Sequence, residues 1–473
     1  MGKVCSLRLV YFGVKLTANF LFEIVEMPAL CDVCGKEFST KSGLKKHKER
    51  KNPCKAPVQL LSTTVHQALI EAGVSHLEVP VSEFRETSKG FNQSLTKKER
   101  LEQGIFFTPK KARTHLFATL SDLGVSPRVV LEPSFGSGEF VLDAKRIYPH
   151  AQIVGVEKNK ELFDSLICPD TQLTCGDFLD WTGKADLIIG NPPYFVIPSD
   201  APNKKELSKK YKNAVNGRIN IYVLFLYKCL TEHLEKDGFL AFIIPTSLYN
   251  CSYYQPMRDY IQANTTIRHL ETLDKPGFYE TGQETMLLIL ENTKRNDDYL
   301  FRSKCGAIYL SPYYRELHAL TQNTTSLAEL GLGAKTGTVV WNNVKENLSD
   351  TAGTLLVYSS NIVNCELKVD NMRGKEKKQY VTDLTKPTLS GPVILFERGY
   401  GNSLRFNFVL VELQGFYAEN HVNVIYPKTP EAAANLGRVV KSFQDERTLQ
   451  FIKWFIGNGS ISSTDLEENI CIF

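Results

Sequence analysis

One stretch of this chain leaves little freedom of fold. The apolar run Asp186-Leu187-Ile188-Ile189-Gly190 ends at a glycine and is stopped by Asn191-Pro192-Pro193-Tyr194-Phe195. An apolar run without polar alternation is the pattern of a parallel strand covered on both faces. Paired prolines end such a strand and stiffen the turn that follows. That turn offers the side-chain amide oxygen of Asn191, the backbone carbonyl of Pro192 and the ring of Tyr194. Two acceptors beside a stacking platform suit a planar amine, which can donate both hydrogens while its ring lies on Tyr194. A tight turn closed by Pro-Pro is the plainer alternative.

Three further segments share this strand-then-loop form. Val129-Val130-Leu131-Glu132-Pro133-Ser134-Phe135-Gly136-Ser137-Gly138-Glu139-Phe140 runs from a strand through a glycine pair into a helix. Glycines there let the backbone approach a ligand closely, and a helix N-terminus has free N–H groups. The third glycine of the dinucleotide fingerprint is missing, because Val141 stands in its place. Gln152-Ile153-Val154-Gly155-Val156-Glu157 then ends in a carboxylate about twenty residues further on, where a ribose diol is usually caught. Leu173-Thr174-Cys175-Gly176-Asp177-Phe178 sets an acid and an aromatic where an adenine ring could be held. Core packing alone does not readily produce this series of strand ends. Strands alternating with helices from Arg128 to Leu290 predict an α/β domain with a doubly wound, mostly parallel sheet, whose ligands bind outside the carboxyl ends of its strands.

From about Leu101 to the C-terminus the motif order resembles the gamma class of S-adenosylmethionine-dependent N6-adenine DNA methyltransferases. Gln103-Gly104-Ile105-Phe106-Phe107-Thr108-Pro109 is similar to that family's upstream cofactor motif. A helix over Ile219–Leu234 and a strand over Gly238–Pro245 follow Asn-Pro-Pro-Tyr, and Gly277-Phe278-Tyr279 to Leu288 is similar to the segment whose aromatic stacks on a flipped base. The resemblance implies a class I methyltransferase-like sheet in which the first and fourth strands are neighbours. It assigns S-adenosylmethionine to Phe106, Thr108, Glu132, Pro133, Phe135, Gly136, Gly138, Glu157, Asp177, Phe178, Asn191 and Pro193. It assigns catalysis to Asn191 and the Pro192 carbonyl, with Tyr194 and Phe278 sandwiching the target base and Tyr279 as the alternative one register away. The implied reaction uses positioning and electrostatics, with base flipping and without a covalent intermediate, catalytic cysteine or catalytic metal. Double-stranded DNA is the implied partner, with a cognate restriction endonuclease as a separate chain. An RNA adenine or guanine methyltransferase and a release-factor glutamine methyltransferase stay open as rival readings.

Ahead of this body stands Cys31-x2-Cys34, then Phe38, Leu44, His47 and Cys54. Two thiolates on a knuckle, a histidine and a further thiolate predict a structural Zn2+ finger with Cys31, Cys34, His47 and Cys54 as ligands. The last ligand is Cys rather than His, with Pro53 inside a long final gap. Residues 27–55 carry eight Lys/Arg against three acids, a net +5 in a chain whose whole charge is +4. The finger is therefore expected to be a cationic knob, suited to phosphates more than to base sequence, with protein docking as the other reading.

The expected division is a non-structural or untranslated extension (1–26), the finger (27–56), a helical linker (57–100), the catalytic domain (101–300) and a target-recognition domain (301–473). Met1 and Met27 both stay open as the start. The linker predicts a helix over Thr63–Ala72 and an N-capped helix beginning at Ser94. Residues 199–217, with five lysines around Tyr211, predict a mobile loop or merely a solvated face. Beyond Leu300, short strands carry Lys335-Thr336-Gly337-Thr338, Gly399-Tyr400-Gly401-Asn402 and Asn420-His421-Val422-Asn423-Val424. Arg373, Lys375, Lys377 and Lys378 suit phosphates there, and Trp341, Arg398 and Arg405 are candidates for base edges. With 42% hydrophobic and 23% charged residues the composition is that of a globular chain. Residues 5–25 come nearest to a membrane span but are broken by Arg8, Lys15 and Glu23. The remaining cysteines lack pairing spacings and predict buried thiols in a reducing compartment, hence cytoplasm or nucleus; a monomer is expected.

Overall fold

The computed structural model describes residues 84–96, 106–273, 284–369, 376–399, 406–456 and 461–473, preceded only by the backbone of short strands. Residues Met1–Val81 form a unit of their own, in which Cys5–Tyr11 pairs antiparallel with Val14–Phe20, and Ala29–Leu30 with Glu37–Phe38. The finger ligands Cys31, Cys34, His47 and Cys54, the helix expected over 63–72, and Phe278, Tyr279, Arg373, Lys375 and Arg405 lie outside the described residues.

The first large body is a seven-stranded sheet built from β1 (Val129–Glu132), β2 (Gln152–Glu157), β3 (Thr171–Cys175), β4 (Ala185–Gly190), β5 (Leu234–Pro245), β6 (Thr266–Leu273) and β7 (Thr285–Glu291). The strand order is β6-β7-β5-β4-β1-β2-β3. Only β7 runs antiparallel to its neighbours; the other pairs are parallel. The chain thus starts mid-sheet at β1, winds out to β3, and returns to place β4 on the other side of β1. That reversal is a topological switch point, where open α/β sheets bind ligands. The doubly wound, mostly parallel sheet expected from the sequence is present.

Helices α1 (Glu86–Ser94), α2 (Lys110–Asp122), α3 (Glu139–Ile147), α4 (Lys160–Asp164), α5 (Lys204–Lys210), α6 (Ile221–Lys228) and α7 (Gln255–Asn264) surround the sheet. Both faces of the sheet are covered, which is why the apolar runs show no alternation. Leu187 and Ile189 pack with Leu116 and Phe117 of α2 and Phe140 of α3. Ile188 enters the opposite core with Tyr222 and Phe225 of α6.

Three local expectations meet the structure unevenly. Ser94 is the last residue of α1, its Oγ donating to the Phe91 carbonyl at 2.8 Å, and the helix expected from Ser94 toward Arg100 runs into residues outside the described ones. Burial of Phe84 and Phe91 against Phe107 and Leu162 holds α1, a helix that the sequence did not signal. Of the two readings of residues 199–217 the solvated face agrees with the structure: the segment contains α5, Tyr211 is buried at 1% exposure, and Lys205, Lys209, Lys210 and Lys212 are exposed. Among the described cysteines, Cys229 and Cys471 are buried, but Cys175, Cys305 and Cys365 are exposed, because each sits at a strand end or turn.

Beyond β7 lies a second seven-stranded sheet, in the order Leu332–Thr336, Val422–Pro427, Leu389–Glu397, Phe408–Ala418, Thr354–Val357, Tyr380–Val381, Leu348–Ser349. It is antiparallel except where Thr354–Val357 meets Phe408–Ala418. Ile394, Phe396 and Ile425 on one face pack on Val439, Phe443 and Phe451 of the C-terminal helices. No helix among the described residues is long and apolar enough to cross a membrane.

Candidate active site

Pairing of Val130 with Leu187 and Leu131 with Ile188 sets the ends of β1 and β4 side by side. Glu132 and Gly190 are consequently neighbours, and a Cβ at 190 would collide with the Glu132 carboxyl; Gly190, at φ +146°, is the residue that fits. The loop after β1 turns through Gly136 and Gly138 at φ +56° and +88°, the second forming the cap of α3. Leu166 occupies the space that a side chain at 138 would need.

Above these strand ends opens a cavity of about 510 Å³. Pro133, Ser134 and Gly136 form one wall, Glu157 and Asp177 with Phe178 a second, and Phe106, Asn191 and Pro193 a third. Phe106, Pro133, Gly136, Glu157, Asp177, Phe178, Asn191 and Pro193, all expected at a cofactor, therefore line one space. Thr108, Glu132, Phe135 and Gly138 are not on its surface and act from behind it. Phe135, for example, is buried at 4% exposure and tilts against Phe163.

Each wall has a local cause. Glu157 at the end of β2 accepts the Gly136 amide on Oε2 at 2.8 Å and the Asn159 amide on Oε1 at 2.7 Å. Its carboxyl thus ties the β1 loop to the start of α4; burial raises its pKa, opposed by those backbone donors. Asp177 caps the following turn through the Leu179 amide at 2.9 Å and pairs with Lys158 at 2.8 Å. Phe178 lies against Phe225 of α6, with ring centroids 4.8 Å apart. Glu132 is 2% exposed, and although the Ser134 amide approaches it, neither carboxyl oxygen has a donor in hydrogen-bonding geometry. Burial pushes its pKa well above the usual carboxylate range, with the nearby Glu157 and Glu139 adding to the rise. A buried, orphaned carboxyl of this kind fits a cationic group from a ligand.

The Asn191 amide is oriented through its nitrogen. Its Nδ2 donates to the Phe106 carbonyl at 3.0 Å and to the Thr108 hydroxyl at 2.9 Å, using both amide hydrogens. The amide oxygen therefore faces the other way, where it meets the Tyr194 hydroxyl. Tyr194 has a second acceptor in the Ile243 carbonyl at 2.6 Å. Among the described residues no hydrogen bond reaches the Pro192 carbonyl. Tyr194 differs from expectation. Its ring is not an open platform but 7% exposed, stacked beside Phe106 with centroids 6.0 Å apart and edge-on to Tyr222. The Pro192-Pro193 turn aims it into the core, and burial raises its pKa.

Several residues of the site escaped the sequence reading. Arg85 of the segment entering α1 donates to the Ser137 carbonyl, and Ser88 lies 2.7 Å from Ser137 Oγ, so α1 braces the glycine loop. No motif marked α1. Lys158, Asn159, Phe195 and Phe225 also line the cavity. Asn159 carried a readable signal, since an Asn just after a strand is a helix cap, and its side chain accepts the Leu162 amide at 3.1 Å. Phe225 carried none, sitting in a helix apolar on every side.

In the C-terminal sheet the nominated residues scatter. Asn423 is fully buried, accepting from Thr336 Oγ1 at 2.9 Å and donating to the Ile461 carbonyl at 2.8 Å. Arg398 has a buried Nε without a partner. Trp341 is approached by the Lys345 and Lys377 ammonium groups at 5.1 and 5.3 Å from its ring centroid, a cation–π cluster.

Residues 143–278 match the family model described as Eco57I restriction-modification methylase. The modification methylase CviBIII of Paramecium bursaria Chlorella virus NC1A is 32% identical over 81% of this chain and 97% of its own length. The Type II methyltransferase M.CvrRI of Paramecium bursaria Chlorella virus XZ-6E is 31% identical over 81% of this chain and 98% of its own. A bacterial relative, the Type II methyltransferase M.BsuBI of Bacillus subtilis, is 25% identical over 66% of this chain and 79% of its own.

Proposed function

The chain belongs to the Type II modification methyltransferases, and from that premise we propose that it transfers a methyl group from S-adenosylmethionine to the N6 amine of adenine within a specific DNA sequence, in the manner of the gamma class. The observation that carries the proposal is the grip on the amide nitrogen of Asn191. With both amide hydrogens spent on Phe106 and Thr108, its Oδ1 is fixed as an acceptor. Beside it the Pro192 carbonyl supplies a second acceptor. An amine that donates one hydrogen to each is drawn toward tetrahedral geometry, and its lone pair localises for attack.

The cavity suits the methyl donor. When bound, S-adenosylmethionine supplies an electrophilic methyl group on a sulfonium. Glu157 would hold its ribose and Asp177 with Phe178 would border its adenine, while Glu132, behind the cavity wall, would answer the cationic methionine end with a buried carboxyl. Asn191 and Pro193 belong both to this cavity and to the amine turn, so donor and acceptor meet at one wall. Tyr194 is placed to gate the amide oxygen rather than to stack on a base from the outset. When the target amine arrives, the Tyr194 hydroxyl turns wholly to the Ile243 carbonyl, and no donor is left unsatisfied. Phe278 is then the candidate for stacking on the flipped base, and the C-terminal sheet is the candidate for reading the sequence around it. Zinc in the Cys31, Cys34, His47 and Cys54 finger and its contact with phosphate belong to the same proposal. A restriction endonuclease on a separate chain is the partner expected of such an enzyme.

Incubation of the purified protein with tritiated S-adenosylmethionine and, in turn, duplex DNA, RNA and protein extract tests the reading. Label is expected in duplex DNA only, and label confined to RNA or protein overturns it.

A further inference from the structure

Away from the cavity, three metal-ligating side chains meet at the edge of the catalytic sheet. His269 and Glu271 are two residues apart on β6, so they point to the same side of the strand. His115 reaches them from α2. The Nε2 atoms of His115 and His269 lie 2.6 and 3.2 Å from the same Glu271 oxygen. One donor atom from each of the three residues falls within 4.8 Å of the others. The side chains of His115, His269 and Glu271 remain 42%, 26% and 46% exposed, so the group is open to solvent.

We propose that His115, His269 and Glu271 form a binding site for a first-row divalent transition ion, zinc foremost, that ties α2 to the edge strand. Two imidazoles and a carboxylate are the mixed N/O donor set that such ions take, whereas magnesium and calcium prefer oxygen alone. Metal–ligand bonds of about 2.0–2.1 Å set tetrahedral donors roughly 3.3 Å apart. The spacings of the two imidazoles from Glu271, 2.6 and 3.2 Å, lie just under that value, so small outward rotations admit an ion, and water completes its shell. In the ion-free arrangement both imidazoles present an Nε2–H to the carboxylate. On binding, each Nε2 gives its lone pair to the ion and the ring carries its proton on Nδ1, with no net proton lost from a neutral imidazole.

The two elements joined are far apart in the chain, and 156 residues separate His115 from Glu271. Linking them stabilises the folded state by binding it and not the unfolded chain. Helix α2 follows directly on Thr108, whose hydroxyl holds Asn191. The ion is therefore a brace for the support of the amine turn and takes no part in the chemistry. It is independent of which base is methylated.

The test uses full-length protein stripped with a chelator and dialysed against zinc, with metal measured by mass spectrometry. Wild type is expected to hold one equivalent more than His115→Ala or His269→Ala, whatever the finger contributes. Glu271→Gln, isosteric and on the surface, should weaken that equivalent by about tenfold or more. Zinc should raise the Tm of wild type by more than that of any of the three variants. With cobalt, the extra equivalent should add d–d absorption without thiolate charge transfer, which separates it from a cysteine site. Equal metal content in wild type, both histidine variants and Glu271→Gln, with coincident metal-free unfolding curves, overturns the proposal.

Discussion

The catalytic sheet and the C-terminal sheet each have seven strands, yet they use their strand ends in opposite ways. In the parallel sheet, β1, β2 and β4 all point their carboxyl ends to one side. Glu132, Glu157 and Asn191 therefore gather at a single edge although they are scattered in sequence. In the antiparallel sheet successive strands turn back, so strand ends alternate between edges. Polar residues such as Asn423 and Thr336 are spent on holding the sheet to the Ile461 segment. Parallel topology concentrates chemistry, whereas antiparallel topology disperses it.

Substitutions can break this contrast. The largest effect is expected for Asn191→Ala, which removes an acceptor at the reacting centre and should lower the single-turnover rate by roughly 100- to 1,000-fold or more. Because Asn191 also holds the Phe106 and Thr108 backbone segment at the cavity wall, cofactor affinity should fall several-fold as well. A variant with near-normal turnover would remove Asn191 from catalysis. Glu157→Ala should raise the cofactor Kd at least about tenfold, since it loses a ligand contact and unties the Gly136 loop. Calorimetry with unchanged affinity would refute its placement at the ribose.

Asn423→Ala should act on the other sheet without touching chemistry. Two buried hydrogen bonds are lost, and about 1–3 kcal/mol of stability with them. Denaturant unfolding should show that loss while kcat stays at the wild-type value; a collapsed kcat in still-folded protein would tie the second sheet to the reaction. The smallest effect is expected for Glu132→Gln in the ligand-free enzyme. The folded carboxyl has a raised pKa, so above the ordinary carboxylate value the native state holds a proton that the unfolded chain releases. Its contribution to stability therefore falls as pH rises toward the raised value. Gln cannot ionise, and the Tm of the variant should decline less steeply over that range. Parallel Tm-against-pH curves would show that Glu132 is solvated in the ligand-free protein.

The same contrast explains what could be read from the sequence. Leu187 to Ile189 needed apolar cover on both faces, and Asn191 to Tyr194 a rigid turn, so strand and site announced themselves together. The glycine loop and Glu157 were legible as a turn at positive φ and a carboxyl that ties two loop amides at a strand end, each of which demands particular residues. Tyr194 was misplaced because the direction of a side chain after Pro-Pro depends on packing with Phe106 and Tyr222, which no local pattern encodes. α1 was missed because its burial rests on Phe107 and Leu162, distant in sequence. Trp341, Lys345 and Lys377 came together through tertiary folding alone.

The central claim is that Asn191 and the Pro192 carbonyl act on the exocyclic amine of adenine. It is tested most directly by digesting enzyme-methylated DNA to nucleosides and identifying the product by mass spectrometry. N6-methyldeoxyadenosine, absent when Asn191→Ala replaces the wild type, is the expected result. N4-methyldeoxycytidine or 5-methyldeoxycytidine in its place would contradict the claim.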